Sequence, residues 1–220
     1  MNSQTNNLLI QIGLYKSAEF QYVAFPNWEE TMQTKLLDNQ LPLELCTKEP
    51  WNYLGIDIDK NSIDHLEGLK PDSDLIEYRH LGVSYNCSEN QNYYISDSFG
   101  KASGKLVDLN TLLEQNSDKN IRAVVLDIEG GETEIFQTYD FKIKPDFFGM
   151  EAHSLLAVNY LCQLLLSNGY SLIQYLPTNI SRRFENEPVS IKNCETRWLG
   201  FLLTSVVHES AAGYCYKYLV

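Results

Sequence analysis

Basic residues are scarce in this chain: 17 Lys and Arg stand against 29 Asp and Glu, a formal charge of -12. An acidic protein without a basic cluster offers no surface for tracking phosphates, which argues against nucleic acid as a partner. The pair Arg182 and Arg183 reads as a solvated loop. Long hydrophobic runs are also missing. The N-terminal stretch has no basic region, and its apolar run, Leu8, Leu9 and Ile10 with Ile12, is too short for a signal peptide or a membrane span. The chain therefore reads as soluble and cytoplasmic, with no membrane partner. Cysteine is sparse: Cys46, Cys87, Cys162, Cys194 and Cys215 are odd in number and lack metal-ligand spacing. Free thiols are expected, not a disulfide framework or a zinc cluster. No repeat, low-complexity tract or linker divides the sequence.

What is present suits one domain over residues 1–220, since 44% of the residues are hydrophobic and 12% aromatic. Short apolar runs alternate with longer amphipathic ones, the pattern of an α/β fold with a largely parallel sheet. Strands are expected over 8–13, 53–59, 75–78 and 122–127, within "PDFFGMEAH", and late in "YSLIQYL" and "WLGFLLTSV". Helices are expected over 28–38, over 61–69 with Asn61 or Ser62 as cap, within "LVDLNTLLEQN" and "GGETEIFQTYDF", and over 155–166. Residues 83–85 and 93–95 look like a pair of inserted β segments.

In an open α/β sheet, ligands sit outside the carboxyl ends of the strands, so polar residues that end apolar strands carry the functional signal. Four such endings occur: Gly13, Asp57 with Asp59, Asp127 with Glu129, and Glu151 with His153. A carboxylate at Asp59 could accept both hydroxyl protons of a ribose, or simply cap a helix. Asp127 and Glu129 in "DIEGG" fall on one side of an extended strand end. They could orient or deprotonate a hydroxyl, position a cationic sulfonium or hold a divalent ion; equally, Glu129 could cap the next helix. Glu151 and His153 are also two apart, a base candidate beside a carboxylate that could fix its tautomer, or a hydrogen-bonded structural histidine.

Taken in order, "IQIG", "WNYLGIDIDKNSIDHL", "HLGVSY", "VDLNTLL", "VVLDIEGGETEIF" and "FFGMEAHS" resemble the FkbM-like methyltransferases over about residues 8–175. The resemblance implies a Rossmann-like class I methyltransferase fold, a mostly parallel seven-stranded sheet with helices on both faces. It implies S-adenosylmethionine as cofactor and O-methylation of a sugar or small-molecule hydroxyl. Matched positions make Gln11, Gly13, Asp59, Gly82, Val83 and Asp127 cofactor-binding, with Ser84 beside them, and Asp127, Glu129, Glu151 and His153 catalytic. No resident metal and no particular oligomeric state is implied. The cofactor loop is degenerate: after Gly13 the chain reads "LYKSAEF", without the second glycine that lets backbone approach a ligand. That departure leaves a second expectation, a methyltransferase-fold binding or scaffold protein without normal cofactor binding.

Overall fold

The computed structural model describes residues 6–14, 17–26, 41–42, 45, 47, 49–85, 87, 91–94, 101–128, 130–177 and 197–205. The helix expected over 28–38, most of the stretch from 178 onward, Glu129, Cys46, Cys194 and Cys215 lie outside them. Cys87 and Cys162 are free thiols. Among the described residues, no helix is long and apolar enough to cross a membrane.

The chain opens with β1 (Asn7–Ile12), then a single 3-10 turn at Gln21–Ala24, β2 (Asn52–Asp57), α1 (Lys60–Leu69) and β3 (Ile76–His80). A run of short strands follows: β4 (Gly82–Val83), β5 (Gln91–Tyr94), β6 (Lys101–Gly104) and β7 (Leu106–Val107). The second half contains α2 (Leu109–Glu114), β8 (Asn120–Leu126), α3 (Glu132–Ile135), β9 (Phe147–Ala152) and α4 (Leu155–Ser167). It closes with β10 (Tyr170–Pro177) and β11 (Arg197–Leu203).

Seven strands form one sheet in the order β3-β2-β1-β8-β9-β11-β10. The pairs from β3 through β9 are parallel, while β11 runs antiparallel to both β9 and β10. The chain thus winds outward from β1 to β3, returns to the centre at β8, and finally slots β11 between β9 and β10. This is a Rossmann-like α/β arrangement, a mostly parallel seven-stranded sheet with helices on both faces.

Strand periodicity explains why both faces are covered. Leu8, Ile10 and Ile12 of β1 join Val124 and Leu126 of β8 and Phe148 and Met150 of β9 in one core. Leu109, Leu112 and Leu113 of α2, Ile135 of α3 and Val158, Leu161 and Leu165 of α4 complete it. The alternate residues Leu9, Tyr53, Val125, Phe147 and Trp198 face a second core closed by Ile63 and Leu66 of α1 and by Phe20, Tyr22 and Val23. There Phe20 stacks on Trp198, with centroids 6.2 Å apart.

Several local expectations need correction. β2 stops at Asp57, two residues early, because Asp59 leaves the ladder to cap α1. Neither Asn61 nor Ser62 is the cap, and both donate to Asp59 instead. The inserted β segments do not pair with each other. Gly82–Val83 runs parallel to Leu106–Val107, and Gln91–Tyr94 runs antiparallel to Lys101–Gly104. α3 is a single turn, and beyond it the rings of Phe136 and Tyr139 pack on Phe148.

Candidate functional site

The order of the sheet reverses between β1 and β8, where two adjacent strands send their following segments to opposite faces. Such a switch point opens a crevice at the carboxyl ends. Gly13 stands at that edge with φ +83°, a left-handed conformation, and its N–H donates to the Ile56 carbonyl at 2.9 Å. A Cβ there would lie 1.7 Å from the Asp127 carbonyl oxygen, so only glycine fits. Across the crevice, the Asp127 N–H donates to the Ile12 carbonyl at 2.9 Å. The ends of β1 and β8 are thereby locked together.

The next residue, Leu14, turns away from the edge. Its side chain is buried in the second core, and its N–H donates to Asp57 Oδ2 at 2.8 Å. Asp57 Oδ1 accepts the Asp59 N–H at 2.7 Å. One buried carboxylate therefore ties the loop after β1 to the turn after β2. Asp59 itself accepts from Asn61 N–H and Asn61 Nδ2 on one oxygen and from Ser62 Oγ on the other. It is half-buried and at the same edge, with its carboxylate engaged as a helix cap.

Gln11 is placed differently from a ligand-facing residue. It is buried on the second-core face of β1, and its carboxamide oxygen accepts from Tyr53 Oη at 2.7 Å and from Phe20 N–H at 3.3 Å. Gly82 and Val83 are buried as well. A Cβ on Gly82 would meet Leu106 at 2.5 Å and Ile58 at 2.6 Å, so this glycine permits close packing of β4 on β7. The following Ser84 N–H donates to the Val107 carbonyl, and Asp108 then caps α2 through the Thr111 N–H.

The densest chemistry lies where β8 and β9 end. Ligating atoms of Asp127, Glu151 and His153 all fall within 4.8 Å of one another, and all three residues are half-buried. Strand pairing explains the meeting: Leu126 is in register with Met150, so the residues just past each strand share one corner. Ser154 caps α4 by accepting from the Ala157 N–H at 3.0 Å, which ends the extended chain immediately after His153.

Glu132, in the first turn of α3, completes the corner. It is 0% exposed, and its Oε1 lies 2.9 Å from His153 Nδ1 and 3.0 Å from the Gly130 nitrogen. A carboxylate only accepts, so the hydrogen bond to Glu132 Oε1 is donated by His153 Nδ1–H, and Nε2 is the ring nitrogen turned away from Glu132. The carboxylate on the imidazole is therefore Glu132, where the spacing of Glu151 and His153 had pointed to Glu151. A glutamate directly after a Gly-Gly turn, at the start of a helix that follows a buried strand, is the signal that could have marked it.

No family model matches the sequence, and no curated protein matches it either. Solved structures similar to this chain include a candidate S-adenosylmethionine dependent methyltransferase from Listeria monocytogenes, at 9% identity and a TM-score of 0.48, covering 92% of each chain. Another is precorrin-6y C5,15-methyltransferase from Geobacter metallireducens GS-15, at 9% identity and a TM-score of 0.41, covering 90% of this chain and 81% of that one.

Proposed function

We propose that the chain is a cytoplasmic, S-adenosylmethionine-dependent methyltransferase of FkbM-like character that methylates a hydroxyl of a sugar or other small molecule. The observation that carries this reading is the corner of Asp127, Glu151 and His153 beside the Gly13 turn, at the switch point of the sheet. Gly13 lets the ends of β1 and β8 close on one another at the switch point, the edge where open α/β sheets bind their ligands. When bound, the cofactor supplies an electrophilic methyl group on a sulfonium.

The chain's own residues then have positioning work. Methyl transfer is an in-line displacement, so most of the catalytic gain comes from holding the acceptor oxygen against the methyl carbon in line with the leaving sulfur. Asp59, half-buried just past the end of β2, can accept from one ribose hydroxyl while it caps α1: Asn61 takes both acceptor sites of Oδ1 and Ser62 one of Oδ2, which leaves a single site on Oδ2. Asp127 and Glu151 orient the acceptor hydroxyl. Either Asp127 or the Nε2 of His153 takes its proton, and Glu132 holds the imidazole in the required tautomer.

The second reading, a methyltransferase-fold protein without cofactor turnover, is favoured by the engagement of Asp57 and Asp59 in local hydrogen bonds. Calorimetric titration with S-adenosylmethionine and S-adenosylhomocysteine separates the two. We expect binding that weakens about tenfold, roughly 1.4 kcal/mol, in Asp59→Asn, a change that keeps a helix cap and removes a ribose acceptor. Folded protein that binds neither ligand would transfer the case to the second reading.

A further inference from the structure

We propose that Asp127, Glu151 and His153 form a binding site for one first-row divalent cation. The inference deepens the methyltransferase reading, since the acceptor hydroxyl meets this same corner, but the site can be tested without any acceptor.

The donor set is two carboxylates and one imidazole, drawn from the ends of two adjacent strands. Ligands of a single ion held at about 2.2 Å stand roughly 3 to 4.4 Å apart, and the three ligating atoms here lie within 4.8 Å of one another. Movements of a few tenths of an ångström close that gap. Carboxylate oxygens suit Mg2+ and Mn2+, imidazole suits Zn2+ and the later metals, and the mixture favours an ion such as Mn2+ that accepts both.

Glu132 is the independent sign. It is wholly buried, turned toward the corner through its contact with His153, and its Oε2 has no hydrogen-bond partner among the described residues. A buried carboxylate with an open oxygen is costly unless positive charge stands nearby. A metal-bound histidine characteristically donates its other ring N–H to such a carboxylate, which fixes the ring and strengthens the ligating nitrogen. Glu132 on Nδ1 leaves Nε2 as that ligating atom. With an ion in place His153 is a ligand and not a base, and coordination positions remain open for oxygen ligands.

The probe is Mn2+ alone, added to EDTA-treated full-length protein and followed by electron paramagnetic resonance. We expect one Mn2+ per chain, with a nitrogen coupling in the bound-ion spectrum that disappears in His153→Gln. Affinity should fall about tenfold or more in Asp127→Asn and Glu151→Gln, and about 10- to 100-fold in Glu132→Gln. Asp64→Asn, an exposed carboxylate paired with Lys60 on α1, should bind like the unaltered protein and controls for loose association with an acidic surface. Circular dichroism checks that each variant is folded; should His153→Gln unfold, Glu151→Gln together with the nitrogen coupling in the unaltered protein decides. Folded protein that holds no stoichiometric Mn2+, or equal affinity in all the ligand variants, would overturn the site. Titrating the same samples with S-adenosylmethionine separates the two proposals. Cofactor binding without Mn2+ sinks the cation site and leaves the methyltransferase reading, whereas Mn2+ binding without cofactor does the reverse.

Discussion

Gly13→Ala is the single substitution for which the geometry speaks most directly. The new methyl group would sit 1.7 Å from the Asp127 carbonyl oxygen on a backbone with φ +83°, so β1 and β8 would have to part or the turn rearrange. We expect a loss of about 3 kcal/mol or more in urea unfolding, from left-handed strain and overpacking together. A variant as stable as the parent would show that the ends of the two strands are not locked as described. Gly13, Asp127, Glu151 and His153 are legible in the sequence because each closes a short apolar run, and in a parallel sheet such closures collect at one edge. Glu132 is not legible in the same way. Its burial depends on His153, which arrives from another strand, and a glutamate in a first helical turn is as often solvated. Gln11 misleads for a related reason: period-two alternation puts it on the same face as Leu9, and only the contact with Tyr53 shows that this face is closed.

At the scale of elements, capping residues set where helices begin, and they begin at the edge that holds the site. Asp59 follows β2, Asp108 follows β7 and Ser154 follows β9, and each accepts a backbone N–H from the first turn of α1, α2 or α4. Asp59→Ala removes three local donors' acceptor at once, and we expect it to cost about 1 kcal/mol in denaturant unfolding, within the usual range for a lost cap. Asp59→Asn should restore most of that stability. Equal stability of the parent and the alanine variant would mean that the cap contributes nothing. The strands of the large sheet are legible from their apolar runs to within about two residues, because burial on both faces demands unbroken hydrophobicity. The partners of the short strands between β3 and α2 are not legible. Two- and four-residue strands carry too little pattern to choose a neighbour, and the choice falls to contacts such as Gly82 on Leu106.

For the molecule as a whole, the two cores are fastened by phenols as well as by apolar packing, and this gives stability a pH limit on the alkaline side. Burial pushes the hydroxyls of Tyr53, Tyr139 and Tyr170 well above the ordinary range, with Glu19, Asp140 and Asp146 adding to it respectively. Burial, with Glu67 beside it, also pushes Tyr78 up to about 12. Tyr170 donates to the Pro145 carbonyl at 2.8 Å and Tyr139 to the Ile143 carbonyl. An unfolded phenol loses its proton near pH 10, while the folded ones keep theirs. The native state then binds more protons than the unfolded one, so this contribution is fully present below about pH 10 and is lost as the pH rises through the folded values. Each phenol can steepen that loss by up to about 1.4 kcal/mol per pH unit. Urea midpoints should therefore hold steady from pH 8 to about 9.5 and fall sharply above about 10.5. Tyr170→Phe tests the assignment twice. At pH 8 it should be less stable by about 1 kcal/mol, because the buried Pro145 carbonyl loses its donor. As the pH climbs past about 10 the gap should narrow and then invert, since the variant has one phenol fewer to ionise on unfolding. A gap that stays constant with pH would remove Tyr170 from the alkaline transition and leave it a packing residue alone.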